Sequence, residues 1–187
     1  ILEDGDVLLR IWDVATWEID AEMSPSVLGK CSVWSSDSQE IATLSRGTVV
    51  FYDVEDNIFV RSIEQLNTTL IALVWSDDDR LIATGASGGG VMLWDMTTDN
   101  FLIPFHGIPE RVEGVYSWEI KLSPDGNLLA APTEDTVVIW DTNTALLVAT
   151  LRGHSPDVVR LEWSPDGTLL ASTDRAGQVF IWGIVDD

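Results

Sequence analysis

The sequence predicts an all-β chain in which one antiparallel motif is used repeatedly, and three observations predict it. An apolar-aromatic strand ending recurs five times, as Ile11-Trp12-Asp13, Phe51-Tyr52-Asp53, Leu93-Trp94-Asp95, Ile139-Trp140-Asp141 and Ile181-Trp182-Gly183. Its aromatic positions, 12, 52, 94, 140 and 182, are separated by 40, 42, 46 and 42 residues. A second column, Trp34, Trp75, Leu122 and Trp163, is followed each time by Ser and precedes the next aromatic by 18, 19, 18 and 19 residues. No segment carries a sustained 3.6-residue apolar period, so helix content near zero is expected. A repeat of this length with a Trp-Asp ending points to the four-stranded antiparallel blades of a β-propeller. Residues 1–187 then supply a leading strand and four sets of strands, about four complete blades in a partial ring.

Taken in order, the first element is Val7–Trp12, a leading strand whose edge is expected to lack a partner in this chain. After each member of the second column comes a polar turn: Ser35-Ser36-Asp37-Ser38, Ser76-Asp77-Asp78-Asp79, Ser123-Pro124-Asp125-Gly126 and Ser164-Pro165-Asp166-Gly167. In the last two, Pro presets the backbone at the first central position and Gly accepts a left-handed exit. Short apolar strands follow at Ile41–Leu44, Leu81–Thr84, Leu128–Ala131 and Leu169–Ser172, and a second turn leads into strands such as Thr136–Trp140. These runs are apolar at successive positions, which requires cover on both faces. Stacked blades provide that cover. The outermost strands, such as Leu147–Leu151, are expected to be more exposed, and Cys31 to lie buried in an inner strand.

Composition narrows the function. Of 187 residues, 45% are hydrophobic, too many for a disordered tail. There are 31 acids against 10 bases, a formal charge of -21, and the only lysines are Lys30 and Lys121. Phosphate backbones and anionic bilayers are bound through Lys and Arg, so neither nucleic acid nor a membrane surface is an expected partner. One cysteine and two distant histidines, His106 and His154, leave no disulfide framework and no zinc cluster; no metal and no cofactor are expected. No apolar run is long enough to span a bilayer. The sequence opens at Ile1 without a leader, so a cytoplasmic chain that is part of something longer is expected.

The repeat as a whole resembles the WD-repeat β-propeller family along nearly its whole length. The best copy is the last: Gly153-His154, Leu161-Glu162-Trp163-Ser164-Pro165-Asp166-Gly167, Leu170-Ala171-Ser172 and Val179-Phe180-Ile181-Trp182. The resemblance implies a buried hydrogen-bonded chain of Trp, Ser or Thr, His and Asp within a blade. The hydroxyl position reads Thr43, Thr84, Ala131 and Ser172, and only His154 follows its Gly. Ala176 stands where the Asp is expected, with Asp174 two residues early, so one blade at most is expected to hold the chain, imperfectly. Loss of the Ser172 hydroxyl is then expected to cost about 1 kcal/mol at most. The resemblance also implies rings of about seven blades, so further blades of the parent polypeptide, or a second copy, are expected to complete this one.

Structural roles are expected for Trp12, Tyr52, Trp94, Trp140, Trp182, Trp34, Trp75, Trp163, His154 and Ser172. Trp75 and Trp163 are both expected to be largely buried. His154, Ser172 and Asp174 are also the residue types of a nucleophilic triad, but they stand at the structural positions, and no catalytic residue is assigned. Asp77-Asp78-Asp79 reads as a solvated turn, and Gly88-Gly89-Gly90 as a hairpin turn, because a strand follows it where a phosphate loop needs a helix. The step from Trp94 to Trp140 exceeds its neighbours by four residues, in the connection His106–Gly114. In WD-repeat proteins the face bearing that connection is a frequent docking surface, which implies a partner-binding face with Arg46, His106, Arg111, Glu134 and Arg175. The expected function is a non-enzymatic protein-interaction scaffold within a larger propeller, its partners possessing basic surfaces. The alternatives are the propeller domain of a hydrolase and a self-associating half-ring.

Overall fold

The computed structural model describes residues 9–23, 31–45, 47–64, 69–87, 90–98, 100–102, 119–155 and 157–183. They form strands and turns, with no helix among the described residues. The chain divides into two compact units, residues 1–70 and 71–187.

The first unit holds β1 (Leu9–Trp12) and β2 (Ile19–Met23), paired antiparallel. It also holds a four-stranded meander of β3 (Ser32–Trp34), β4 (Glu40–Ser45), β5 (Thr48–Asp53) and β6 (Ile58–Glu64). The second unit begins within β7 (Leu70–Trp75), which forms a sheet with β8 (Leu81–Ala86), β9 (Val91–Asp95) and β10 (Asn100–Leu102). Next come β11 (Lys121–Leu122), β12 (Leu128–Pro132), β13 (Thr136–Asp141) and β14 (Leu147–Arg152). A three-stranded sheet of β15 (Val158–Trp163), β16 (Leu169–Asp174) and β17 (Val179–Gly183) completes the described strands.

The seventeen strands among the described residues are the leading strand and four sets of four that the sequence predicts, but the sheets group them differently. Each sheet takes in the strand after its Trp-Asp ending, so the sets give three complete four-stranded sheets, a pair at the start and a triplet at the end. One expectation is corrected by this. The leading strand is not without a partner: Leu9 to Trp12 pair with Met23 to Ile19. The turn that returns the chain is built by Asp13, which accepts the backbone N–H of Ala15 at 2.7 Å and of Thr16 at 2.9 Å.

The two turn types explain two sequence columns. Ser35, Ser76, Ser123 and Ser164 each donate a hydroxyl to the Asp two residues on, at 2.6–2.7 Å. Each hydroxyl oxygen accepts the backbone N–H five residues on, at 2.8–2.9 Å. The side chains thereby satisfy backbone groups that the turn leaves out of the ladder. Residues 38, 79, 126 and 167 exit with φ of 62°, 57°, 70° and 71°, and only the last two are Gly. The Asp of each Trp-Asp or Tyr-Asp ending caps the following turn, as Asp53, Asp95 and Asp141 accept backbone N–H groups at 2.7–2.9 Å.

In the second unit the core lies between sheets. Leu81, Ala83, Val91 and Leu93 face Ile120, Leu122, Leu129, Val138 and Trp140 of the next sheet. Ala130, Val137 and Ile139, on the other face of that sheet, pack on Leu161, Trp163 and Leu170. A fully buried aliphatic or aromatic side chain contributes about 1.5–3 kcal/mol, so this double-sided packing favours strands apolar at successive positions. Trp75 and Trp163 are buried as expected, at 8% and 6% exposure. Trp163 also donates its indole N–H to the carbonyl of Lys121 at 3.3 Å, across to the neighbouring inner strand. Trp94 and Trp140 are buried and Tyr52 and Trp182 half-buried, whereas Trp12 and Trp34 are about half exposed. The outer strand β14 shows Leu147 and Val148 to solvent, as expected. Cys31 is half-buried and precedes β3 rather than lying in it, its carbonyl accepting the N–H of Leu44 and the hydroxyl of Thr43.

Candidate functional site: a pinned rim

The connection from β14 to β15 begins Gly153-His154. Gly153 has φ +152°, a backbone conformation that strains any side chain, and a Cβ there would also crowd Cε1 of Phe180 at 3.2 Å. That tight approach delivers the His154 ring beneath β16 and β17. Its centroid lies 4.4 Å from that of Phe180, which stacks on Trp182 at 5.4 Å.

Four side chains then join in sequence. Trp182 donates its indole N–H to Oγ of Ser172 at 2.8 Å. Ser172 Oγ lies 2.6 Å from Nε2 of His154, and His154 Nδ1 lies 3.0 Å from Oδ2 of Asp174. Indole is a donor only and a carboxylate an acceptor only, which sets the directions. Ser172 donates to Nε2, and Nδ1–H donates to Asp174. The hydrogen bond from His154, helped by the N–H groups of Gln178 and Ala176, holds the Asp174 carboxyl below the usual carboxylate range, against the opposing effect of burial.

The expected imperfection is therefore corrected: the chain of hydrogen bonds is complete, and Asp174, not position 176, supplies its acid. The physical reason is the hairpin turn. Asp174 is the last residue of β16, and its Oδ1 takes the N–H groups of Ala176 at 2.9 Å and Gln178 at 3.0 Å while Oδ2 faces His154. Elsewhere the hydroxyl position serves other ends. Thr43 donates to the carbonyl of Cys31, and Ala131 has no hydroxyl to give.

The same atoms form a triad by residue type, and their burial decides what they can do. Ser172, His154 and Asp174 are 1%, 3% and 2% exposed. A nucleophile must meet a reacting carbon, and here the hydroxyl is enclosed and engaged on both sides. The arrangement stiffens the loops instead. Asp174 pins the turn that displays Arg175, whose backbone N–H reaches the carbonyl of Asp157 at 3.0 Å and whose Nε lies 3.3 Å from the Asp157 carboxylate. The N–H of Val158 in turn takes the carbonyl of Glu134 at 2.8 Å. Glu134 and Arg175, both singled out from the sequence, thus stand on one rim, linked through residues 157–158. Both are exposed. Arg46, His106 and Arg111 lie outside the described residues. Asp157, which sequence reasoning passed over, joins the rim because the Gly153-His154 connection is drawn down beside the turn. Among the described residues no group of His, Cys, Asp and Glu is placed to hold a metal ion. In the Asp77–Asp79 turn, Asp78 is occupied by the Ser76 hydroxyl and the Arg80 N–H.

Repeated antiparallel sheets with Trp-Asp endings, packed face to face and closed in one sheet by a Trp-Ser-His-Asp chain, define a WD-repeat protein. Residues 60–95 and 146–183 match the family model for the WD domain, G-beta repeat, so these stretches of the chain are WD repeats. Both matches begin in or just before an outer strand and end at the third strand of the next sheet, which is why sequence sets and hydrogen-bonded sheets are offset. The chain is similar to WD repeat and SOCS box-containing protein 1 of Homo sapiens, 27% identical over 67% of this chain and 31% of that protein. It is 28% identical to the anaphase-promoting complex subunit cdc20 of Dictyostelium discoideum, over 81% of this chain and 30% of the relative. It is 29% identical to apoptotic protease-activating factor 1 of Danio rerio, over 80% of this chain and 11% of the relative. The matched stretch is thus under a third of each relative's length. WD-repeat proteins are generally protein-interaction scaffolds. No helix among the described residues is long and apolar enough to cross a membrane.

Proposed function

We propose that this chain is a non-enzymatic protein-interaction scaffold, part of a larger WD-repeat propeller in a multi-subunit or multi-domain protein. The observation that carries this reading is the commitment of His154, Ser172 and Asp174 to a buried chain that holds an exposed charged rim in place. Rigid scaffolds with exposed loops are where binding residues concentrate. Glu134, Asp157 and Arg175 are the proposed contact residues of that rim, and Arg46, His106 and Arg111 are further proposed partner-binding residues. The partner has a basic surface: a net charge of -21 steers such partners and repels acidic ones.

The test is binding of a Lys- and Arg-rich peptide, followed by titration calorimetry at rising salt, with the Glu134→Lys and Asp157→Lys variants alongside. The reading expects affinity that falls with salt and falls further in both variants. Indifference of binding to both substitutions would remove this rim from the function. A hydrolytic activity lost in Ser172→Ala, with the fold retained, would overturn the non-enzymatic reading itself.

A further inference from the structure

In the second unit a cavity of about 170 Å³ opens between the β7–β10 and β11–β14 sheets, at the end opposite the rim of Glu134, Asp157 and Arg175. Both walls are complete four-stranded sheets that share one core. Leu81 and Leu93, each 1% exposed, form an apolar floor, and Ala145 packs on the same core beside them. Ala145 is held at φ 57°, a left-handed conformation that strains a residue with a side chain. Strain of this kind persists where the surroundings over-determine it, and it gathers at ligand contacts.

The polar lining divides in two. Thr142 donates to the carbonyl of Gly126 at 2.7 Å, Asn143 to Oδ1 of Asn127 at 3.2 Å and Thr144 to Oδ1 of Asp141 at 2.9 Å, so all three are committed to local turns. Arg80 and Asp95 keep atoms in reserve. Among the described residues Arg80 meets a carboxylate through Nε alone, 3.5 Å from Asp78, and Asp95 takes both of its Thr97 bonds on Oδ1. The Thr97 hydroxyl, then its N–H and the nearby Arg80 charge, hold the Asp95 carboxyl below the usual carboxylate range.

A donor and an acceptor over an apolar floor match one residue of an extended chain. Its carbonyl can accept from Arg80, its N–H can donate to Asp95, and its side chain can reach Leu81 and Leu93. A cofactor or nucleotide needs more room, since such sites run to about 300–1,000 Å³. A simple anion is disfavoured, because Asp78 and Asp95 already offset the Arg80 charge. A free amino acid is disfavoured too: burying one aliphatic side chain returns less than the freedom lost on association, so the residue must belong to a longer segment.

We propose that this cavity is a second docking site of the scaffold, holding one aliphatic residue of an extended peptide segment that Arg80 and Asp95 grip by its backbone. The inference goes beyond the rim and gives the opposite end a partner of its own. The gripped backbone is neutral, so this binding responds little to salt, unlike docking of a basic partner on the rim.

A random peptide library displayed on phage tests it, depleted on Ala145→Leu, whose larger side chain fills the cavity, and then selected on the wild-type chain. The recovered peptides are expected to share one Leu, Ile, Val or Met. A synthetic copy is expected to lose about tenfold in affinity when that residue becomes Gly, and to weaken on Arg80→Gln. Both protein variants are checked for fold by near-ultraviolet circular dichroism, and Arg80→Gln replaces Ala145→Leu in the depletion if the latter does not fold. Glu134→Lys and Asp157→Lys are expected to leave the affinity unchanged, which separates this site from the rim. An empty selection overturns the proposal, as do peptides that bind Arg80→Gln as tightly as the wild type. Displacement of the peptide by free leucine at the peptide's own concentration would overturn it in favour of the free amino acid.

Discussion

The indole N–H of Trp182 meets the hydroxyl oxygen of Ser172 at 2.8 Å, diagonally across β16 and β17, where Trp182 pairs with Leu170 and Ser172 with Phe180. The contact makes Ser172 a bridge between the third strand and His154, which links the Trp-Asp column to the loop that carries the rim.

Ser172→Ala leaves both the indole N–H of the half-buried Trp182 and the buried Nε2 of His154 without their present partner. Each buried polar group left unsatisfied costs about 1–3 kcal/mol, so the loss is expected to exceed the single-bond figure read from the sequence. Urea denaturation, with an unchanged slope, is the measurement. A loss below about 1 kcal/mol would show that the chain of hydrogen bonds is dispensable.

The aspartates of the Ser-x-Asp turns predict an acid response. The Ser164 hydroxyl, then the N–H and hydroxyl of Thr168, hold the Asp166 carboxyl at about 2. Asp37, Asp78 and Asp125 are lowered by their own serine and backbone partners. A folded value below the unfolded one, about 3.9, stabilises above that pH and ceases to do so as pH falls through the folded value. Asp166→Asn is therefore expected to be less stable at neutral pH and to melt with a shallower pH dependence between about 4 and 2. Thermal melts across that window decide it, and parallel curves would count against the argument.

Trp163→Ala is expected to cost about 3–5 kcal/mol, as for other buried aromatic truncations. Trp34→Ala, at the same repeat position but half exposed, is expected to cost well under half as much. Equal losses in denaturation would mean that Trp34 is covered in solution.

Ser38 sits with φ 62° where the equivalent turns use Gly126 and Gly167. Relief of left-handed strain outweighs the added chain entropy of Gly, so Ser38→Gly is expected to stabilise by about 0.5–1 kcal/mol. A lower melting temperature in that variant would contradict this.

Periodicity alone determined the repeat length, the turns and most strand positions. Trp75, Trp163 and the Ser-x-Asp turns could be placed because their partners lie within the same hairpin or at a fixed distance along the chain. Tertiary structure decided the rest. Trp34 and Trp163 share a letter and a column, yet Trp163 packs into the core between two sheets while Trp34 is half exposed, and burial depends on what lies across a face. Asp174 looked misplaced by two residues because sequence alignment counts positions, whereas a hairpin turn sets where a carboxylate points. The Ser-His-Asp types at 172, 154 and 174 read equally as a site or a support; solvent access separates the two, and access follows from how Phe180 and Trp182 pack over the ring.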